Sequence, residues 1–433
     1  MLKCIVPTNY DDTGDDSNDN NINMIQHKSF SNGLGIGKLN PYYYKAQGVI
    51  NSSPHDVSIT TLVTPNRFHA LMRLAHHYQG PISAVLHINN NQSDQLKDVL
   101  KQLNQYYYPE QQSDDDHLHD ANDFKAAALS LRRFVDIHLL IDDYERQFNM
   151  WRNIARMYAR TDYILMLDVD FLVSPTIRQI LLTLPPKILD RVRQSHAALV
   201  IPAFEELEEK EENKKKKKNK KKTTSHHKKK HHSHQHHKRQ EINNNDNNNN
   251  DNQDHKNYEK GIFFPASKKE LIQYVKKRKV DMFHKSWARG HAPTNYTRWY
   301  QSAKHDKITD YNYSYEPYVI FKNDPSIPWC DERFIGYGAN KAACHFELYI
   351  SGLVYYVLPD HYVVHQYHPY PEQTRSNERA LNRDLYTHFR EEVCIKYARS
   401  MIARNEWNTK KASNIKRECR KIKEFNHFIH SKE

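Results

Sequence analysis

The chain has 433 residues with a formal net charge of +12, and 38% of its residues are hydrophobic. That length is ample for one large α/β domain or for two smaller ones. No run of about 18 apolar residues occurs, so the sequence predicts no transmembrane helix. The positive charge is uneven, because residues 205–257 alone hold 15 Lys/Arg against 10 Asp/Glu. The remaining basic bias suits anionic substrates and does not require nucleic acid.

The amino-terminal residues and the cysteines bear on the compartment. The sequence MLKCIVP is too short for the apolar region of a signal peptide. We therefore expect a cytosolic protein or a chain without its upstream anchor. Five cysteines without C-x-x-C spacing argue against a disulfide framework, although one or two bridges, such as Cys394–Cys419, stay open in an oxidising compartment. Glycosylation sequons, which are weak signs of secretion in an Asn-rich chain, occur at Asn51, Asn91, Asn295 and Asn312.

The first half of the chain alternates predicted strands and helices. Residues 1–57 are predicted to be of low complexity and poorly ordered, with order starting near Ser58. Predicted strands are Ser58–Val63, Ile82–Ile88, Arg133–Asp142, Tyr163–Asp168 and Ala197–Phe204, and predicted helices are Pro65–Gln79, Ser93–Tyr107, Asn149–Arg160 and Ile177–Leu184. This alternation predicts an α/β fold with a mostly parallel central sheet flanked by helices.

The second half is interrupted and then resumes. Residues 205–257 are a Lys/His/Asn-rich insert that cannot build a core, and we interpret it as a disordered loop. A polyanion-binding or metal-binding tract is the alternative. A helix is predicted from Ser267, with Glu270 completing a capping box. Further predicted elements are strands at Tyr318–Phe321, Leu353–Leu358 and Tyr362–His365, a helix at Asn340–Ile350, and a basic helical extension over 371–433.

The most informative motif is Asp168-Val169-Asp170, which follows an apolar strand. In an extended segment alternate residues point the same way, so both carboxylates would reach one cation. A turn after a strand, where Asp is common, is the alternative interpretation. Ligands of α/β sheets bind at the carboxyl ends of strands, where this motif is predicted to lie.

Several stretches in order resemble the family 49 glycosyltransferases, the LARGE-type dystroglycan transferases. They are RNIAR at 152–156, LDVDFL at 167–172, ALVIPAFE at 198–205, GHAPTN at 290–295, YEPY at 315–318, DERFIGYGANK at 331–341 and VVH at 363–365. The resemblance implies a nucleotide-sugar transferase fold of the GT-A type, formed by one catalytic domain over 58–204 and 258–370. The insert is not part of the family's core.

The resemblance implies a metal site and a donor site. Asp168, Asp170 and His365 would bind Mn²⁺ or Mg²⁺, with His368 as a competitor of His365. The residues expected to bind the UDP-sugar donor are Arg152, Asn153, His291, Thr294, Asn295, Asn340 and Lys341. For Arg152 a structural ion pair is equally open, and Trp299 either stacks on the acceptor or belongs to the core.

The catalytic base is left open among three carboxylates. Asp331 ranks first because it precedes the Gly-rich Gly336-Tyr337-Gly338, and an ion pair with Arg333 is its competing role. Glu316 and Glu347 rank behind it.

The resulting hypothesis is a metal-dependent transfer of glucuronic acid from its UDP-sugar to a glycan acceptor, with inversion. UDP-xylose and UDP-N-acetylglucosamine are alternative donors. An inactive transferase fold or a polyanion-binding module is the alternative of another class. We expect a glycan or glycoprotein partner, no nucleic acid, a Golgi or secretory location by resemblance, and membrane attachment only through an anchor absent from this chain.

Overall fold

The protein was analysed as a computed structural model that describes residues 38–48, 55–90, 93–108, 122–142, 146–207, 263–367 and 375–430. The strands are β1 Lys38–Tyr44, β2 Val57–Val63, β3 Ile82–Asn89, β4 Val135–Asp142, β5 Tyr163–Met166, β6 Phe171–Val173, β7 Ala197–Ile201, β8 Ala203–Glu206, β9 Val280–Met282, β10 Asp306–Lys307, β11 Tyr318–Lys322, β12 Val354–Val357 and β13 Val363–His365. The α-helices are α1 Phe68–Tyr78, α2 Ser93–Tyr107, α3 Asn122–Phe134, α4 Phe148–Met157, α5 Ile180–Thr183, α6 Pro186–Arg193, α7 Lys268–Lys276, α8 Tyr296–Gln301, α9 Asn340–Ile350, α10 Arg375–Ala403, α11 Ser413–Cys419 and α12 Lys423–His430.

The larger sheet has the strand order β1-β4-β3-β2-β5-β11-β7-β12-β10. Strands β4, β3, β2 and β5 run parallel to one another, as the alternation in the first half predicted. Strand β11 is antiparallel to both β5 and β7. The expectation of a mostly parallel sheet is confirmed from β4 to β5. Beyond β5 the sheet is mixed, because β7 and β12 are parallel whereas β12 and β10 are antiparallel. The strand–helix alternation on which that expectation rested stops after residue 204, so it carried no information about the direction of β11.

A smaller sheet has the order β6-β13-β8-β9. The single strand predicted over Ala197–Phe204 is divided at Pro202 into β7, in the larger sheet, and β8, in the smaller one. Proline has no N–H to donate to a ladder, and its carbonyl accepts from Val363 N at 3.0 Å. Strand β5 of the larger sheet is likewise followed by β6 of the smaller sheet, and β12 by β13. The chain therefore passes from the larger sheet to the smaller one at three places.

The larger sheet is covered on one side by an aliphatic core. Helix α1 buries Leu71, Met72, Leu74 and Ala75 against it, on the face that the sequence predicted. These residues recur at helical spacing, and burial of each large aliphatic side chain stabilises the fold by about 2 kcal/mol. Helix α3, which the sequence analysis did not predict, packs beside α1.

A second core joins α9 and α10 to the other half of the sheet. Helix α10 buries Phe389, Val393 and Ala398, and Cys394 forms a disulfide with Cys419 of α11. The carboxyl-terminal extension is helical over its described residues, as expected, and part of it is buried in this core. Its apolar residues are diluted among charged ones, so the sequence pattern understated how much of it is buried.

Two other expectations differ from the structure. Strand β1 pairs antiparallel with β4, within the segment 1–57 that was predicted to be poorly ordered. Its Pro-Tyr-Tyr-Tyr residues suit a partly buried strand, a signal masked by the polar residues before it. The capping box of α7 forms in part, since Glu270 N donates to Ser267 Oγ as predicted, whereas the Glu270 carboxylate accepts from Ala266 N, one residue before the N-cap.

Residues 208–257 of the insert lie outside the described residues, and so does His368. Of the helices that are described, none is long and apolar enough to cross a membrane.

Candidate active site

The acidic motif is a tight turn between β5 and β6. Phe171 N donates to Asp168 O at 3.1 Å, so residues 168–171 close a hydrogen-bonded turn. The premise of an extended segment, with both carboxylates pointing the same way, is wrong. Asp168 and Asp170 consequently have different neighbours.

Asp168 is held by three side chains from distant parts of the sequence. Lys341 Nζ lies 2.5 Å from its Oδ2, and the Tyr318 hydroxyl donates to the same oxygen at 2.8 Å. Arg152 Nη2 lies 3.6 Å from Oδ1. Burial opposes ionisation of Asp168, but Lys341 and Arg152 outweigh it and hold the pKa of this carboxyl well below its usual range. Asp168 is therefore a carboxylate at every physiological pH.

Asp170 lies on the side of the smaller sheet. Its Oδ1 is 3.5 Å from Arg67 Nη1, and its carbonyl accepts from Gln366 N at 2.9 Å. The β6–β13 register pairs His365 with Phe171, which places this histidine one position from Asp170. His365 is buried, and its ring lies edge-on to Phe171 with centroids 5.0 Å apart. The fold thus brings all three predicted metal ligands to one junction.

The donor types at this junction fit a hard divalent cation, because carboxylate oxygens suit Mg²⁺ and an imidazole is tolerated by Mn²⁺. Their present spacing is wider than a closed site requires. Over the described ranges, no three His, Cys, Asp or Glu side chains are grouped tightly enough to hold a metal ion.

A pocket opens beside Asp168, between β2 and the amino-terminal end of α9. It is lined by Thr60, Thr61, Leu62, Arg152, Met166, Leu167, Asp168, Lys341, Cys344 and His345. Two cations and one carboxylate face this space, which lies towards the carboxyl end of parallel strands, where α/β sheets bind ligands.

Helix α4 supplies the polar wall of the pocket. Arg152 Nη1 donates to Asn340 Oδ1 at 2.8 Å and to Asn149 Oδ1 at 2.9 Å. Asn153 points elsewhere: its amide group exchanges hydrogen bonds with the backbone of Cys330 and donates to Glu332. Arg152 therefore lies at the pocket, and Asn153 fastens the loop that precedes α9.

Asn340 and Lys341 begin α9 directly after Ala339, which has a left-handed φ of 57°. Asn340 Nδ2 donates to Gly336 O at 3.0 Å, which orders the turn before the helix. A disulfide between Cys330 and Cys344 ties the same loop to α9. The bridge Cys394–Cys419 was anticipated, but Cys330–Cys344 was not, since spacing alone does not select a partner among five cysteines.

The candidate bases occupy three different environments. Asp331 forms a bidentate ion pair with Arg333, with Nη2 2.7 Å from Oδ2, which is its competing role. Glu347 lies against α10, where Lys396 Nζ and the Tyr397 hydroxyl donate to it at 3.0 and 3.1 Å. Neither carboxylate has a partner at the pocket. Only Glu316 remains close to it.

Glu316 lies at the amino-terminal end of α9. Its carboxyl accepts from the amide of Ala342 and interacts electrostatically with Lys341, Arg152 and Asp168. Burial raises the pKa of Glu316, and the two cations only partly oppose that shift. A carboxylate with a raised pKa beside a polar pocket is suited to accept a proton.

The predicted sugar-contacting loop is divided between the site and the core. His291 is buried with its ring nearly parallel to that of Tyr318, and burial, with the charge of Lys341, lowers the pKa of His291 to about 3. Thr294 Oγ1 bonds to the Tyr315 hydroxyl at 2.7 Å. Asn295 caps α8 by accepting from Arg298 N.

The structure decides the role of one residue and adds two residues that the sequence did not indicate. Trp299 is buried and donates to Leu358 O, so it belongs to the core and does not face an acceptor. Tyr318 was missed as a site residue, although it ends the YEPY stretch. His345 was also missed, because a buried histidine within an apolar helix gives no signal of a pocket.

Together these features define an α/β protein with a pocket at the carboxyl end of parallel strands, where two cations surround the carboxylate of a turn. The profile of the family described as "glycosyl-transferase for dystroglycan" matches residues 56–398. The chain therefore belongs to this family.

Curated relatives are much longer than this chain. It is 25% identical over 342 residues to the xylosyl- and glucuronyltransferase LARGE2 of Rattus norvegicus, covering 78% of this chain and 38% of that protein. It is 26% identical over 357 residues to the glycosyltransferase-like protein gnt14 of Dictyostelium discoideum, covering 82% and 42%. Against LARGE1 of Homo sapiens the identity is 24%, covering 72% and 31%. The chain thus spans less than half the length of these relatives.

Among solved structures, the crystal structure of S. aureus TarS residues 1–349 matches with a TM-score of 0.34 and 10% identity, covering 78% of this chain and 64% of that one.

Proposed function

We propose that this protein transfers a sugar, with glucuronic acid as the first candidate, from a UDP-sugar to a glycan acceptor with inversion at the transferred carbon. The observation that carries the proposal is the pocket in which Lys341 and Arg152 surround Asp168. A nucleotide diphosphate is an anion that such a pocket suits. Membership of a family described by its glycosyl-transferase activity supports the same class of reaction.

The proposal includes a divalent cation, Mn²⁺ or Mg²⁺, with Asp168, Asp170 and His365 as its protein ligands. When bound, such a cation neutralises charge on the leaving diphosphate. The three residues are neighbours at the junction of the two sheets, and their side chains are of types that these metals accept.

Lys341 and Arg152 are proposed to hold the donor. Each now neutralises Asp168, and each has N–H donors that an anionic donor can occupy. Arg298 is another cation in the region that resembles the family, and it forms a bidentate ion pair with Asp306 at 2.6 and 2.9 Å. This pairing favours Lys341 and Arg152 as partners of a donor carboxylate.

Glu316 is proposed as the base, ahead of Asp331 and Glu347. As the acceptor hydroxyl oxygen bonds to the anomeric carbon and the bond from that carbon to the diphosphate oxygen breaks, the hydroxyl proton passes to Glu316. Attack from the face opposite the diphosphate inverts the configuration. Asp331 and Glu347 are already engaged by Arg333 and Lys396.

The secretory pathway, with the Golgi lumen first, is the proposed location. Two disulfides, Cys330–Cys344 and Cys394–Cys419, support it because such bridges persist in oxidising compartments.

A UDP-release assay tests the function. Purified protein would be incubated with Mn²⁺ and, separately, UDP-glucuronic acid, UDP-xylose and UDP-N-acetylglucosamine, with xylosides and galactosides as acceptors. We expect release from UDP-glucuronic acid that depends on metal. Preference for a neutral donor would overturn the donor assignment. Release from no donor by folded protein would favour an inactive transferase fold or a polyanion-binding module.

A further inference from the structure

Two large aromatic side chains are exposed on neighbouring loops. Trp287 is 56% exposed and Tyr313 is 40% exposed. Their loops are joined, because Glu316 N donates to Gly290 O at 2.8 Å. A Cβ at Gly290 would lie 3.3 Å from the Trp287 ring and 3.8 Å from Ser314 O. The Trp287 ring and the segment that leads to Glu316 therefore share one surface.

A cation without an anionic partner lies against this surface. The guanidinium carbon of Arg390, on α10, is 4.3 Å from the centre of the Tyr313 ring and 5.4 Å from that of Tyr386. Its Nε is buried and has no hydrogen-bond partner, and in the described part of the chain no carboxylate pairs with this side chain. The N–H groups of this half-buried guanidinium are therefore not used by a carboxylate of the described residues, and they can donate to an oxyanion.

A second cation, Arg289, lies on the same loop as Trp287. It is exposed, and it too makes no ion pair with any residue that the structure describes. We refer to Trp287, Arg289, Tyr313 and Arg390 as the rim cluster. The cluster thus combines apolar ring faces with two guanidinium groups.

The rim cluster is connected to the candidate base. The Tyr386 hydroxyl donates to Tyr313 O at 2.5 Å and lies 3.3 Å from Ala342 O. Ala342 is the residue whose amide donates to Glu316. Tyr313 and Arg390 of the cluster are therefore linked to Glu316 through Tyr386 and Ala342.

We propose that the rim cluster is a subsite for a uronate sugar of the acceptor glycan, separate from the donor pocket. The apolar C–H face of a pyranose packs on an indole or phenol ring by dispersion. The uronate carboxylate accepts hydrogen bonds from a guanidinium group, which binds planar oxyanions in a bidentate manner. The proposal rests on the proposed function only in taking the acceptor to be a glycan.

Direct binding tests it. Saturation-transfer NMR would be recorded on the whole protein with methyl β-glucuronide, methyl β-glucoside or glucose 6-phosphate as the probe, with UDP and Mg²⁺ present to fill the donor pocket. We expect saturation of the glucuronide by the unmodified protein. Trp287→Ala and Arg390→Gln should each weaken its binding by about tenfold.

Matched controls come from the same chain. Trp329, also partly exposed, stacks on Arg156, and Arg399 of α10 stacks on Phe428, so Trp329→Ala and Arg399→Gln should leave glucuronide binding unchanged. Circular dichroism would verify folding, and Arg390→Lys, which keeps the charge, should retain part of the binding.

The possible outcomes separate this inference from the proposed function. Equal binding of glucoside and glucuronide, stronger binding of glucose 6-phosphate, or equal losses in the control variants would each overturn the uronate subsite. Absence of UDP-sugar hydrolysis would instead count against the transferase. Hydrolysis that persists in Trp287→Ala, with glucuronide binding lost, would support both.

Discussion

The two halves of the molecule around the pocket are built differently. The amino-terminal half is a run of parallel strands covered by aliphatic helices, and it contributes Arg152 and Asp168. The carboxyl-terminal half is rich in buried aromatic residues and carries two disulfides, and it contributes Glu316 and Lys341. Asp168 is where they meet, because its carboxylate is neutralised from both halves. In the described residues the two halves therefore differ in their ties: disulfides join elements of the carboxyl-terminal half, whereas the amino-terminal half is held by apolar packing and strand pairing.

The largest expected effect comes from the two aspartates of the turn. Asp168→Asn should reduce the rate of transfer by about 1,000-fold, because an amide lacks the negative charge that Lys341 and a metal ion would bind. Asp170→Asn should cause a comparable loss, and His365→Ala a smaller one with altered metal preference. Steady-state kinetics in Mn²⁺ and Mg²⁺ would measure these effects. Full activity in excess EDTA would contradict the metal role of all three.

Substitution of two glutamates in the carboxyl-terminal half should have different effects, one on turnover and the other on stability. Glu316→Gln should lower kcat by about 100-fold or more with little change in melting temperature, since it loses the proton acceptor. Glu347→Gln should lower the melting temperature while kcat of the folded fraction is retained, because Lys396 loses its partner. A reversed pattern, with Glu347 essential for turnover, would refute the assignment of the base.

The disulfides test whether the second half depends on covalent ties. Cys330–Cys344 closes a loop of 14 residues, so replacing both cysteines by serine should lower the free energy of unfolding by about 3 kcal/mol. Since Cys344 lines the pocket, the Michaelis constant for the donor should also rise. Urea unfolding and donor titrations would measure both. An unchanged midpoint would show that the aromatic core suffices.

A buried histidine makes the stability of the amino-terminal half depend on pH. His138 of β4 is buried, and burial, with the charge of Arg160, lowers its pKa to about 3. It is neutral in the folded state, accepting from Tyr42 N and bonding to Ser83. Its contribution to stability is therefore complete above the ordinary histidine pKa of about 6.5 and is lost as pH falls towards about 3.

Unfolding measured at pH 7 and pH 5 should reveal a loss on the order of 2 kcal/mol from this group. His138→Gln should be less stable at pH 7 and show a shallower pH dependence. An equal pH dependence of the free energy of unfolding in His138→Gln would show that other titrating groups cause the loss of stability.

The smallest expected effect is that of the insert. Deleting residues 208–256 should leave turnover of a small acceptor almost unchanged, because its composition cannot build a core and long loops cost little closure entropy. Leu207, whose N donates to Lys279 O, is retained in this deletion. A large loss of activity in a folded deletion variant would show that the tract binds substrate.

The sequence predicted local elements better than it predicted partners. Helix α9 runs from Asn340 to Ile350 as predicted, because its boundaries follow from apolar spacing and the preceding Gly-rich turn. Asp168 was identified as a candidate ligand by its position after β5. Its contacts with Tyr318 and Lys341 could not be predicted, since they depend on where β11 enters the sheet.

Our proposal of Glu316 as the base departs from the ranking made from the sequence for a related reason. Asp331 was placed first because Gly336 and Gly338 follow it, but those glycines allow close packing on Glu378 and Arg379 of α10. Glu316 gave a weaker local signal than Asp331. Its position beside α9 is a property of the tertiary fold, which a pattern of neighbouring residues does not contain.

The division of the chain between two sheets has a mechanical consequence. Strand β5 lies in the larger sheet and β6 in the smaller one, so the acidic turn connects the two sheets. Asp168 is anchored to the larger sheet through Tyr318, whereas Asp170 is anchored to the smaller one through Gln366. The two carboxylates are therefore attached to different sheets, and the relative position of the sheets sets the distance between them.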